Sequence, residues 1–159
     1  MGQFNAKILA EFQPPRKWKL GRDLTYTTTK LMGDEIKSLQ DIGVDVKRDT
    51  DISPEASITV PTDFMTDLAS TPRLLWAFIA PFDVARAAIV HDLLYKAIRK
   101  YRWTKGTIEE DKKLIKKAKV VADKVFLLAM KDADPKVSGW KIYSAWKAVD
   151  LFGRWSIIP

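Results

Sequence analysis

The spacing of the apolar residues changes near residue 70, and this change constrains the fold more than any other feature of the sequence. Before it, β-branched and aromatic residues form short runs between turn residues, a pattern typical of strands. After it, apolar residues recur at helical spacing. The chain therefore predicts an α+β fold, in which a small N-terminal antiparallel β region, made of a hairpin plus a strand, precedes three helices.

Three short segments carry the β prediction. Residues 18–20 and 24–29 flank a turn at Gly21 and predict the hairpin, and residues 57–61 predict the further strand. Residues 32–44 are polar and predict a loop or a short helix. A β region of this size is too small to hold a core alone, so we predict one domain over residues 1–159, mainly β over 1–60 and mainly α over 72–153.

Capping signals place three helices in the second half of the chain. Asp83 precedes a long helical pattern as its N-cap, and Thr107 with Glu110 has the spacing of a capping box. Asp134-Pro135 is a typical opening of a third helix, and Gly153 a typical end. The first two helices are joined by a short turn, which predicts an antiparallel pair.

The counts of cysteine and histidine exclude several kinds of chemistry. The chain has no cysteine, which excludes disulfides, a thiolate zinc site and a cysteine nucleophile. Its single histidine, His91, excludes any mechanism that needs two histidines within this chain. His91 is predicted to lie mid-helix, with Asp92 next to it and Tyr95 one turn further along.

Asp123 is the residue that could give His91 a chemical role. It interrupts an apolar stretch of the second predicted helix, 32 residues after His91. An antiparallel pair joined by a turn brings such positions level, because both helices rise equally per residue. A carboxylate beside an imidazole fixes its tautomer and stabilises its cation, as in a catalytic His–Asp dyad. The alternative is a buried pair that stabilises the helices without catalysis.

A polar loop before the helices holds further candidates. Thr66, Asp67, Ser70 and Arg73 lie there, in a position where functional side chains are common. Asp67 or Ser70 could equally cap a short helix predicted after Pro72. Ser70 lacks the G-x-S-x-G context of a serine nucleophile, so that role is not predicted.

Positive charge is concentrated in one stretch of the chain. The net charge is +7; residues 96–119 contain ten basic and three acidic residues, whereas the rest has equal numbers of each. Such a patch favours phosphate-rich or acidic partners. The predicted anion-binding residues are four lysines of the second helix: Lys112, Lys113, Lys116 and Lys117. The same lysines, together with Lys119, are also what a solvated helix face needs.

Several motifs in order resemble a phage and prophage family of unknown function. They are V-P-x-x-F-x-T-D-x-A-S-x-P-R at residues 60–73, H-D-x-L-Y at 91–95, A-D-x-x-F-x-x-A-M at 122–130 and W-x-L-x-x-D-L-x-Y at 18–26. The resemblance covers roughly residues 18–155. It implies a phage origin and a place in the virion, with other phage structural proteins as partners, but it supplies no function.

A second resemblance is to the core of the bacterial and fungal phospholipases A2, through H-D-x-x-Y followed by D-x-x-F. It implies that His91 activates a water, that Asp92 binds calcium and that Asp123 orients the histidine. The loop at Asp67 would supply further calcium ligands, although Leu68 replaces the glycine expected there. Calcium takes six to eight oxygen ligands, and Asp92 and Asp67 are the evident side-chain donors.

Three functions remain open at this point. The first is a structural, tail or adsorption-related virion protein that carries the His–Asp site. The second is an active lipid-ester hydrolase that assists phage entry and docks on anionic headgroups through the basic stretch. The third is a nucleic-acid-binding accessory protein, which ranks last because no DNA-binding motif accompanies the lysines. Association of identical copies is compatible with each, and we predict synthesis in the host cytoplasm without a signal peptide or transmembrane segment.

Overall fold

The computed structural model describes residues 2–15, 17–48, 55–66, 84–105, 108–133 and 136–157, of which 151–157 are described by their backbone alone. The predicted site residues Asp67, Ser70 and Arg73, and the short helix expected after Pro72, lie outside the described residues. Within the described ranges, an N-terminal region of antiparallel sheets precedes three long helices. The predicted α+β fold is therefore confirmed.

Seven short strands form two antiparallel sheets within these ranges. The strands are β1 (Gln3–Phe4), β2 (Ala10–Gln13), β3 (Lys17–Leu20), β4 (Leu24–Thr28), β5 (Val46–Arg48), β6 (Ala56–Val60) and β7 (Met65–Thr66). The first sheet has the order β1-β4-β6-β5, and the second has the order β2-β3-β7. Both consist of antiparallel pairs.

The predicted pairing of residues 18–20 with 24–29 is wrong, although both strands exist. β3 pairs with β2 and β7, whereas β4 pairs with β1 and β6, so the turn at Gly21 carries the chain from one sheet to the other. Gly21 donates its amide to the Leu9 carbonyl at 2.8 Å, and Asp23 accepts the amide of Thr62 at 2.7 Å. These contacts draw the turn into other segments. The hairpin that forms instead joins β2 to β3.

Four helices lie within the described residues: α1 (Gly33–Asp41), α2 (Ala85–Lys105), α3 (Glu109–Lys131) and α4 (Gly139–Ile157). Residues 32–44 thus contain a helix. The N-cap of α3 is Ile108, without a side-chain hydrogen bond, and the predicted caps Asp83 and Thr107 lie outside the described residues. α4 begins later than Asp134-Pro135 predicts and continues past Gly153, because one glycine costs a helix only about 1 kcal/mol.

α2 and α3 form the predicted antiparallel pair. Near their connection the Tyr101 hydroxyl donates to Asp111 at 2.7 Å, while further from it His91 meets Asp123. α1 also packs against α3, where Lys124 donates to Glu35 at 2.7 Å. α3 is therefore held by both α1 and α2.

The central strands of the first sheet connect the β region to the helices. β4 and β6 alternate buried and half-buried residues, as strands with one covered face do. Their buried side chains, including Tyr26 and Ile58, share one apolar core with buried residues of α2 and α3. The Tyr26 hydroxyl also donates to Asp132, just after α3, at 2.7 Å. The sheet thereby fixes where the helix pair sits.

Candidate functional site

The middle of the α2–α3 pair brings the predicted histidine and aspartate together. His91 Nε2 lies 3.1 Å from Asp123 Oδ1, as their spacing in the sequence predicts. Ala87 and Ala122, each within a turn of the pair, are fully buried and let the two helices come close. The His91 ring also lies against Tyr95 and Phe126, with ring centroids 4.0 and 4.9 Å away.

Asp123 accepts hydrogen bonds on both of its carboxylate oxygens. Tyr95 donates its hydroxyl to Oδ1 at 2.7 Å, and Lys119 donates its ammonium to Oδ2 at 2.7 Å. The same ammonium lies 3.2 Å from Oδ1 of Asp150 in α4. A buried carboxylate needs both an opposite charge and hydrogen bonds, and these partners supply both. Side chains of three helices therefore meet around Asp123.

These partners keep Asp123 ionised despite its burial. Burial by itself raises the pKa of this carboxyl, but the hydrogen bonds from His91, Lys119 and Tyr95 outweigh burial and hold the pKa below its usual range. Burial, followed by the charge of Asp123, raises the pKa of Tyr95 far above its usual range. The Tyr95 phenol therefore stays protonated and acts as a donor.

The ionised carboxylate determines which nitrogen of His91 carries the proton. A carboxylate only accepts hydrogen bonds, so Nε2 donates its N–H to Asp123. In the neutral ring Nδ1 then holds the lone pair, and within the described ranges no hydrogen bond reaches this atom. The side chain is 13% exposed, so the ring is not sealed from solvent. The neutral ring can therefore accept a further hydrogen bond at Nδ1.

Lys119 is a member of the site that the sequence analysis assigned to the solvated face. That assignment is wrong, because its side chain is only 7% exposed. The sequence held a usable signal: Lys119 precedes Asp123 by one helical turn, directly before the apolar residues 120–122. Asp150 carried no comparable signal, since its contact depends on how α4 packs against α3.

Asp92, the predicted calcium ligand, has two cations as neighbours. Lys96 Nζ lies 3.2 Å from its Oδ2, and an Arg99 nitrogen lies 3.8 Å from its Oδ1. The side chain is 10% exposed, and Oδ2 accepts no well-aligned hydrogen bond from the described residues. The carboxylate is thus held mainly by charge.

Within the described residues, Asp92 is surrounded by cationic, carbonyl and aromatic groups of α2 and the β7 segment. Lys96 also donates to the Met65 carbonyl and lies 4.3 Å from the centre of the Phe64 ring. In the part of the chain that the structure describes, no three histidine or carboxylate side chains could share a metal ion. Asp67 lies outside that part, so calcium at Asp92 and Asp67 stays a prediction.

The remaining predicted residues that the structure describes are Thr66 and four lysines of α3. Thr66 is buried at the end of β7, opposite Trp18 of β3. The four predicted anion-binding lysines all lie on the exposed face of α3: Lys112, Lys113, Lys116 and Lys117. Two of them contact acids: Lys117 pairs with Asp34 at 3.0 Å, and Lys112 with Glu109 at 3.5 Å. This face is distinct from the buried side of α3 that carries Asp123.

Comparison with known proteins identifies a family but no function. Residues 44–149, two thirds of the chain, match the model of a family described as "Protein of unknown function (DUF1353)". No curated protein and no solved structure matches the chain. The matched range includes His91, Asp92, Lys119 and Asp123, whereas the first four strands precede it. No helix within the described ranges has the length and apolar character to cross a membrane.

Proposed function

The chain belongs to the DUF1353 family, whose description assigns no function, and for this member we propose a component of the phage virion with an ester hydrolase site that uses His91 as general base. One observation carries the catalytic part: Asp123 holds Nε2 of His91, while Nδ1 has no hydrogen bond within the described residues. Because the side chain is 13% exposed, a water molecule can reach the ring.

The residues support a simple hydrolytic step. Nδ1 of His91 takes a proton from a water molecule, whose oxygen forms a bond to the carbonyl carbon of the ester while the carbonyl electrons move to its oxygen. The tetrahedral intermediate collapses, the bond to the alcohol oxygen breaks, and His91 returns the proton to this leaving group. Asp123 stabilises the imidazolium that exists between the two transfers, and Tyr95 and Lys119 hold Asp123 in place.

Lipid esters are the proposed substrate class. The H-D-x-x-Y and D-x-x-F motifs that resemble phospholipases A2 correspond here to His91, Tyr95 and Asp123, the residues in mutual contact. The exposed lysines of α3 would favour anionic headgroups through their charge. An ester hydrolase of this kind would assist entry by acting on the membrane of the host.

The virion part of the proposal is supported by the resemblance of residues 60–73, 91–95 and 122–130 to phage and prophage sequences. Other structural proteins of the particle are then the expected partners. Mass spectrometry of purified particles is the direct measurement, and absence of the protein from particles that infect normally would contradict this part.

His91→Gln tests the catalytic part. Glutamine keeps much of the bulk and can still donate to Asp123, but it cannot act as a base at neutral pH. We expect fatty-acid release from phosphatidylglycerol vesicles to fall by about a hundredfold or more. Urea unfolding of both proteins is the folding control. A folded Gln variant with the parent rate would contradict general-base catalysis by His91.

A purely structural role is the second candidate, and the complete pairing of Asp123 favours it. His91, Tyr95 and Lys119 satisfy this carboxylate so fully that the cluster could serve only to join α2, α3 and α4. In that case the parent protein releases no fatty acid from any vesicle, and His91→Gln changes only the free energy of unfolding.

A further inference from the structure

Trp103 is the most exposed large apolar side chain among the described residues. It is 88% exposed and lies close to the C-terminal end of α2. Ile108, the residue directly before α3, is 56% exposed. Water disfavours apolar surface of this size, so two such side chains at one place indicate a surface that binds a partner.

Trp103 and Ile108 lie at the same end of the α2–α3 pair. The Tyr101 hydroxyl donates to Asp111 at 2.7 Å, and both apolar residues lie between these two positions in the chain. The chain turns back there from α2 into α3. We call residues 103–105 and 108 the hairpin tip.

Positive charge surrounds the hairpin tip. Two exposed acids begin α3, but Lys112 lies 3.5 Å from the first of them, Glu109. Lys100 lies one turn before Trp103, on the same face of α2. Four exposed lysines lie within the tip or within five residues of it in the chain: Lys100, Lys105, Lys112 and Lys113. The basic stretch at residues 96–119, with ten basic and three acidic residues, therefore has an apolar tip.

An anionic lipid surface suits this combination better than the other partners that an apolar tip could bind. Two copies of the chain would bring like charges together at the same surface. Single-stranded nucleic acid is bound by aromatic side chains on which successive bases stack, and the tip has one such ring. At a membrane, by contrast, indole rings lie at the level of the headgroups, and lysines beside them attract anionic lipids.

We propose that Trp103 and Ile108 insert into the headgroup region of an anionic membrane while the surrounding lysines bind the headgroups. This inference rests on the proposed lipid-directed function and names the side chains that would hold the protein at its substrate. A small apolar anchor binds a membrane only weakly by itself, so insertion and charge act together. The lysines determine how binding depends on salt, and Trp103 increases its strength at any given salt concentration.

Vesicle binding by Trp103→Ala tests the insertion. Vesicles of ether-linked phosphatidylglycerol carry the anionic headgroup but no ester, so the measurement does not depend on hydrolysis. We expect the partition coefficient at low salt to fall about tenfold or more, because the indole no longer leaves water on binding. The slope of binding against salt should stay that of the parent, since no charge changes. Trp140→Ala, which removes an exposed tryptophan of α4, is the matched control and should bind as the parent does.

Three outcomes would overturn the proposal: no binding of the parent to these vesicles, parent-level binding by Trp103→Ala, or equal losses in both tryptophan variants. Binding of the parent to a single-stranded oligonucleotide instead of vesicles, lost in Trp103→Ala, would also overturn it. Urea unfolding is the folding control, and the exposure of Trp103 predicts little change. A parent protein that binds through Trp103 but releases no fatty acid from ester-linked vesicles would support this inference and contradict only the hydrolase function.

Discussion

Two parts of α3, residues 109–118 (here its first half) and residues 119–131 (its second half), carry similar charged residues but place them in opposite environments. In the first half, Lys113 and Lys116 are exposed, and Lys112 and Lys117 contact only exposed acids. In the second half, Lys119 is buried against Asp123. Exposed ion pairs contribute about 0–1 kcal/mol to stability, whereas a buried charge that loses its partner costs several. Charge on the first half is therefore available to partners, and the Lys119–Asp123 pair of the second half is required by the fold.

Replacing one lysine in each half is the strongest test of this comparison. Lys119→Met leaves the Asp123 and Asp150 carboxylates without their shared cation, so we expect a loss of about 3–5 kcal/mol in the free energy of unfolding. Lys116→Met should change it by about 0.5 kcal/mol or less. Urea unfolding measures both free energies. Equal midpoints would show that the buried pair contributes no more to stability than the exposed lysine does.

Tyr95→Phe removes a smaller part of the buried half. The variant keeps the ring against His91 but takes one donor away from Asp123, for an expected loss of about 2 kcal/mol. Tyr143→Phe, an exposed tyrosine of α4, is the matched control and should be nearly neutral. A loss of the same size in both variants would mean that the hydroxyl bond to Asp123 is not the cause.

The stability of the protein should depend on pH through Asp123. We expect this effect to be smaller than that of the two substitutions above, because burial raises the pKa of Asp123 while its hydrogen bonds lower it. The pKa of Asp123 is lower in the folded protein than in the unfolded chain, so its contribution is present above the unfolded pKa. It is lost as the pH falls through the folded pKa, below about pH 4. Urea midpoints between pH 7 and pH 3 should therefore fall less for Asp123→Asn than for the parent, and parallel curves would contradict this.

The helix pair could be predicted from the sequence because its signals are local. The helical spacing of apolar residues, the turn between the helices and the 32-residue separation of His91 and Asp123 together determine their contact. The interruption of an apolar run by Asp123 marked it as a buried, partnered group. Lys119 follows Lys116 and Lys117 closely, and a net-charge argument does not separate the buried side of a helix from its exposed side.

The sheets could be predicted only in part because pairing depends on distant segments. The strands that composition predicts at residues 18–20, 24–29 and 57–61 overlap β3, β4 and β6. Whether β3 and β4 pair with each other depends on Leu9 and Thr62, which bind Gly21 and Asp23 at the turn. The cation between Asp92 and Met65 was equally out of reach, since it needs β7 to lie beside α2.

The exposed half of α3 gives the smallest expected effect on stability and the clearest effect on binding. Replacing Lys112, Lys113, Lys116 and Lys117 together by glutamine should cost about 0.5 kcal/mol or less per site, since the two ion pairs they form are exposed. In flotation at low salt, the parent should bind phosphatidylglycerol vesicles and the fourfold variant should not. Neither protein should bind phosphatidylcholine vesicles. High salt should also abolish parent binding, because charges on this face are screened over about 10 Å. Parent binding that survives both high salt and the four substitutions would place the docking surface elsewhere and leave these lysines as a solvated face.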